Sequence, residues 1–86
     1  MPEISRFLGI VIKMYYKDQQ PPHFHAEYGE HAAEIEIATL SMMDGELPRR
    51  ARNLVLEWAF EHREELQANW TRARAQESLL PIAPLE

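Results

Sequence analysis

His23 and His25 stand in a short stretch, His23-Phe24-His25-Ala26-Glu27-Tyr28, in which polar and apolar residues alternate. Side chains two apart on a β-strand leave the same face, so both imidazoles point one way. Imidazole titrates nearest neutrality among side chains, which suits acid–base catalysis, and its neutral form ligates transition metals. Glu34 and Glu36 repeat the spacing further along. Three roles follow for this set. His23 and His25 are the candidate catalytic acid and base. His23, His25, Glu34 and Glu36 are the ligands if a metal ion binds. The plainest role is structural, imidazole facing carboxylate across an exposed ladder, worth a few tenths to about 1 kcal/mol per pair. That plain role leads, and no metal ion or other cofactor is expected.

A second constellation is Arg49, Arg50 and Arg52, placed where a helix starts after Leu47-Pro48. Cations are unfavourable at the positive end of a helix macrodipole, so three of them there suggest a phosphate or anion site. The simpler explanation is pairing with Glu34, Glu36, Asp44 or Glu46. Together with the histidines the arginines would make the parts of a metal-independent ribonuclease. The expected packing works against that combination, because it sets helix and histidines on opposite sides of the sheet.

The elements that must position these groups follow from periodicity. Residues 6–16 alternate as one strand, with Leu8, Ile10, Ile12, Met14 and Tyr16 on one face and Phe7, Gly9, Val11, Lys13 and Tyr15 on the other. Pro21-Pro22 ends the loop that follows. Strands over 23–28 and 31–38 flank Gly29-Glu30, a pair suited to a two-residue type II′ turn. Counting outward from that turn sets Phe24 against Ile35, Ala26 against Ala33, His25 against Glu34 and His23 against Glu36. Every pair matches in character, so the register is self-consistent. Residues 39–46, with Asp44-Gly45 and the apolar Ser41-Met42-Met43, read as a second turn or loop. An apolar stripe through Ala51, Leu54, Val55, Trp58, Ala59, His62, Leu66, Trp70 and Ala73 predicts one long helix over 48–74, with a bend near His62 allowed. An apolar, proline-punctuated tail, 78–86, is extended on the domain or on a partner.

The expected fold is α+β: a three-stranded antiparallel meander, one long amphipathic helix and an extended C-terminal tail, in a single domain over 1–86. The helix covers Leu8, Ile10, Ile12, Phe24, Tyr28, Ile35 and Ile37. The reverse face then carries Phe7, Val11 and Tyr15 beside the histidines, and these three are the candidate partner-binding residues.

Composition narrows the function classes. The 86 residues are 45 % hydrophobic and 27 % charged, the balance of a globular chain. A net charge of −5 disfavours specific DNA binding, which relies on Lys and Arg to neutralise phosphates, while leaving RNA open. With no cysteine, disulfides and thiolate metal sites are excluded. No apolar run approaches the roughly 20 residues of a membrane helix and no leader pattern opens the chain, so no membrane is expected as a partner and the expected location is the cytoplasm.

Pro2-Glu3-Ile4-Ser5-Arg6-Phe7, Met14-Tyr15-Tyr16 and Pro21-Pro22-His23-Phe24-His25-Ala26 resemble a family of small bacterial proteins, domain of unknown function 4160. Leu47-Pro48-Arg49-Arg50-Ala51, Leu54-Val55-Leu56-Glu57-Trp58-Ala59, His62-Arg63-Glu64-Glu65-Leu66 and Asn69-Trp70 continue the resemblance. It implies a protein encoded beside a second small protein, the pair forming a toxin–antitoxin-like module, and it carries over no catalytic residue. The leading expectation is therefore an interaction protein acting through a cognate small protein or through self-association, and not an enzyme. The ribonuclease-like toxin and the metal-binding module stand as its alternatives.

Overall fold

In the computed structural model, which describes residues 3–86, the N-terminal segment is a hairpin and not one strand. Strand β1 (Glu3–Phe7) and strand β2 (Ile10–Lys13) are joined at Leu8-Gly9, whose φ values of 50° and 82° are the two positive angles a type I′ turn requires. The turn changes the parity of the side chains. Phe7 now pairs with Ile10 and lies in the core, 6 % exposed, while Leu8 at the turn is 62 % exposed. A bulge sets Ile4 and Ser5 together against Ile12, and both are buried.

Strands β3 (His23–Tyr28) and β4 (His31–Glu36) form the expected hairpin, residue for residue, from His23 opposite Glu36 to Tyr28 opposite His31. Gly29 alone in that turn has a positive φ, 59°, as type II′ needs. Tyr28, expected under the helix, is half exposed at the end of the strand. The stretch expected as a loop holds a further strand, β5 (Met42–Glu46), reached through a tight turn in which Leu40 N–H donates to Glu36 O at 2.8 Å. Asp44-Gly45 signals close backbone approach there and not a turn. A Cβ on Gly45 would stand 2.1 Å from the Ala32 carbonyl oxygen. The sheet is an antiparallel meander of five strands in the order β1-β2-β3-β4-β5.

The helical segment is two helices, α1 (Arg49–Glu61) and α2 (Arg63–Arg74), divided at His62 with φ −120° and ψ 24°. Both lay their stripes on one face of the sheet. Ala51, Val55, Trp58, Ala59, Leu66 and Trp70 join Ile10, Ile12, Phe24, Ile35 and Ile37 in a single core. Each such aliphatic or aromatic side chain contributes about 1.5–3 kcal/mol by burial.

The tail closes on its own chain. Ile82 N–H donates to Ile4 O on the edge of β1 at 2.8 Å, and Ile82 is buried. Trp58 Nε1 donates to Ala83 O at 2.8 Å, and buried Asn69 bonds both backbone groups of Leu80 at 2.9 Å. The tail thus covers the open edge of β1, which would otherwise offer unpaired backbone groups. Met1, and Pro2 that opens the N-terminal motif, lie outside the described residues.

Candidate functional site

Strand alternation sends His23 and His25 to the side of the sheet away from Phe24 and Ala26, as expected. Their surroundings differ from expectation. His23 is only 4 % exposed, because it sits at the end of β3 where Trp70 of α2 reaches it, with ring centroids 5.4 Å apart. His25 is partly exposed, stands 5.3 Å from the His23 ring and takes the edge of Tyr15 at 4.6 Å.

The residue that joins the two histidines is Asp18, from the loop between β2 and β3. Its Oδ2 lies 2.7 Å from His25 Nε2 and 3.3 Å from His23 Nε2. Glu34 is the next acid, with Oε1 3.5 Å from His23 Nε2. Glu36, the fourth residue of the set expected from the sequence, instead accepts from Thr39 Oγ1 at 3.1 Å. His23 Nδ1 lies 2.8 Å from Pro21 O. A carbonyl oxygen only accepts, so Nδ1 carries the hydrogen and Nε2 is turned toward the carboxylates. Arg74 Nη1 donates to Asp18 O at 2.8 Å, which ties the end of α2 to this loop. Asp18, His23 and His25 can hold a metal ion, since one ligand atom from each lies within 4.8 Å of the others.

Arg49, Arg50 and Arg52 do not join the cluster. Strand β5 runs from Met42, opposite Ile35, to Glu46, opposite Ala32 near the β3–β4 turn. The start of α1 follows at that end of the sheet, whereas His23 faces Glu36 at the other. The three arginines are exposed, and among the described residues none has a carboxylate within 4 Å, so the simple pairing with Glu34, Glu36, Asp44 or Glu46 is also not made.

Of the expected partner-binding residues, Phe7 is withdrawn by the Leu8-Gly9 turn and packs on Trp58, 5.4 Å between centroids. Val11 and Tyr15 remain half-buried on the uncovered face. Beside them Lys13 Nζ is 3.0 Å from Glu27 Oε1, and this hydrogen bond foremost raises the Lys13 ammonium above its ordinary value. A shallow cleft of about 100 Å³ on this face is lined by His25, Glu27, Glu34 and Asp44 among others.

Sequence reasoning found both histidines and missed Asp18. A loop carboxylate has no periodicity to betray its direction, and its only signal was proximity in the chain to the histidine strand.

Residues 9–71 match the family described as Domain of unknown function (DUF4160). The matched span includes Asp18, His23, His25 and Trp70, while β1 and the tail lie outside it. No curated protein and no solved structure matches the chain. Among the described residues no helix is long and apolar enough to cross a membrane.

Proposed function

The chain belongs to the DUF4160 family, and from that premise we propose that it is a small interaction protein of a two-gene, toxin–antitoxin-like module. Its cognate protein docks on the uncovered face of the sheet. One observation carries the reading: both helices pack on one face of a five-stranded sheet, and the other, apart from the end of β3 where Trp70 reaches His23, has no cover among the described residues. A simply solvated sheet face alternates to polar residues throughout. Here Val11, Tyr15 and Ala32 interrupt Lys13, His25, Glu27 and Glu34, and most of these side chains are half-buried already. Mixed apolar and polar character is that of interfaces between proteins that also exist apart. The tail adds nothing to this surface, because it is docked on β1 and the helices of its own chain.

Coexpression with the product of the adjacent gene, followed by native mass spectrometry, tests the proposal. A defined complex is expected, weakened about tenfold or more by Val11→Glu with Tyr15→Ala, as for buried contacts at an interface centre. A chain that stays monomeric and ignores its neighbour overturns it.

A further inference from the structure

We infer that Asp18, His23 and His25 form a binding site for one divalent transition-metal ion, ligated by Asp18 Oδ2 and the Nε2 atoms of both histidines. The loop carboxylate takes the place that sequence spacing had given to Glu34 and Glu36. Four observations converge on this.

The first is charge. With its Nδ1 hydrogen given to Pro21 O, His23 directs Nε2 toward Asp18 at 3.3 Å and Glu34 at 3.5 Å. A nitrogen facing two carboxylates calls for a cation between them, a metal ion or a proton, and the site is nearly closed to water at His23. The second is size. Ligand atoms about 2.1 Å from a tetrahedral ion stand about 3.4 Å from one another. The observed 2.7 Å and 3.3 Å to Asp18, with all three atoms within 4.8 Å, need only small rotations to reach that spacing.

The third is support around the ligands. Ligating histidines usually donate their other ring N–H to a carbonyl or carboxylate, which fixes tautomer and ring direction, and Pro21 O does this for His23. Trp70 and Tyr15 wall the two rings, and Arg74 holds the Asp18 backbone. The fourth is donor chemistry. Two imidazoles and a carboxylate suit zinc, iron(II) or nickel(II) in preference to calcium or magnesium. Three protein ligands leave an open position, as in sites that bind a water or a substrate and unlike closed structural sites. Glu34 flanks it, and the partial exposure of His25 gives access from the uncovered face. Ligation frees His25 Nε2 of the hydrogen it gives to Asp18, which passes to Nδ1 or to solvent.

The test uses the full chain without a polyhistidine tag, stripped by chelator and titrated with zinc chloride alone by calorimetry, then with cobalt(II) by absorption. One ion per chain is expected, together with a zinc-dependent rise in the unfolding midpoint. Asp18→Asn and His25→Gln should each weaken binding about tenfold or more, while His31→Gln, at the far end of the hairpin, leaves it unchanged. His23→Ala removes a buried ring and endangers the fold, so the decision rests on Asp18 and His25, with circular dichroism confirming that both variants fold. No uptake of zinc or cobalt at millimolar ion overturns the site, and the cation between His23 and its carboxylates is then a proton. Uptake that survives both variants unchanged overturns it too, since the ion then sits elsewhere.

Discussion

Asn69→Ala should destabilise the protein by about 2–4 kcal/mol, although Asn69 touches none of the candidate functional groups. The side chain is 1 % exposed. Its Nδ2 donates to Leu80 O at 2.9 Å, and its Oδ1 accepts from Leu80 N–H at 2.9 Å and from Arg72 Nη1 at 3.0 Å. Arg72 is partly exposed and finds water once the amide is gone. The three bonds are worth about 0.5–1.5 kcal/mol each net of the water that replaces them, and Leu80, 52 % exposed, finds water for its freed backbone groups as Arg72 does. The tail either stays in place with Leu80 hydrated, or lifts away and also surrenders the burial of Ile82, about 1.5–3 kcal/mol, and the Trp58–Ala83 bond. In a domain of this size each kcal/mol moves the melting midpoint by about 4–8 °C, so a fall of roughly 8–32 °C is expected. Urea unfolding gives the free energy, and amide exchange at Leu80 and Ile82 shows which route the tail takes. Asn69→Leu, of similar volume, should lose nearly as much, which separates hydrogen bonding from packing. A loss below about 0.5 kcal/mol, with Leu80 still protected, would refute the reasoning.

Phe7→Ala should cost about 3–5 kcal/mol in chemical denaturation while Val11→Ala stays within about 1 kcal/mol, since only Phe7 lies against Trp58 in the core. Equal costs would restore a single straight strand. Gly45→Ala forces a Cβ to 2.1 Å from Ala32 O at φ +73° and should lose more than about 2 kcal/mol, with amide protection disappearing between β4 and β5. Gly29→Ala, where nothing lies within 4 Å but φ is +59°, should cost only about 1 kcal/mol. The Lys13 ammonium is raised by its hydrogen bond to Glu27, so this pair supports the fold below the unfolded lysine value. That support is lost as pH rises through the still higher folded value, above about pH 10. Glu27→Gln should flatten this part of the alkaline stability profile, and an identical profile in the variant would contradict the assignment.

The β3–β4 hairpin was legible to the last pair because two independent signals, period-two alternation and a Gly-X turn, agree on one register. β1 and β2 failed for a parity reason. A two-residue turn sets Phe7 opposite Ile10, on the same face, whereas a straight strand puts residues three apart on opposite faces. Gly9 within a strand pattern was the available sign. The Asp44-Gly45 pair misled in the other sense, since the dipeptide that most strongly marks a turn here serves a close approach inside β5. Of the candidate site, the direction and pairing of the histidines could be read from the sequence. Their burial and their carboxylate could not, because Asp18 and Trp70 arrive from a loop and from a helix end that periodicity does not place.

The division of the helix at His62 was hidden by phase. Ala51, Val55, Trp58, His62, Leu66, Trp70 and Ala73 stay on one stripe about 120° wide at 100° per residue, so an unbroken helix satisfies the pattern. The acidic pair Glu64 and Glu65 in the first turn of α2 is the mark of a fresh start. His62 N–H is shared between Trp58 O at 3.1 Å and Ala59 O at 3.2 Å, while its Nδ1 pairs with Glu65 Oε1 at 2.5 Å and its ring lies 5.4 Å from that of Trp58. The consequence reaches the histidine cluster. His23 and Phe24 are neighbours on β3 and point to opposite faces, yet each is covered by a tryptophan: Phe24 by Trp58 at 6.0 Å and His23 by Trp70 at 5.4 Å. On a straight helix the two indoles would stand about 18 Å apart along the axis and at opposite edges of one stripe, serving one face only. With the break at His62, α2 still places Leu66 and Trp70 in the core, while the Trp70 ring also reaches His23 and Arg74 meets the Asp18 loop. The helix junction is therefore part of what shapes the cluster, and the stripe that conceals the break is the same stripe that supplies both tryptophans.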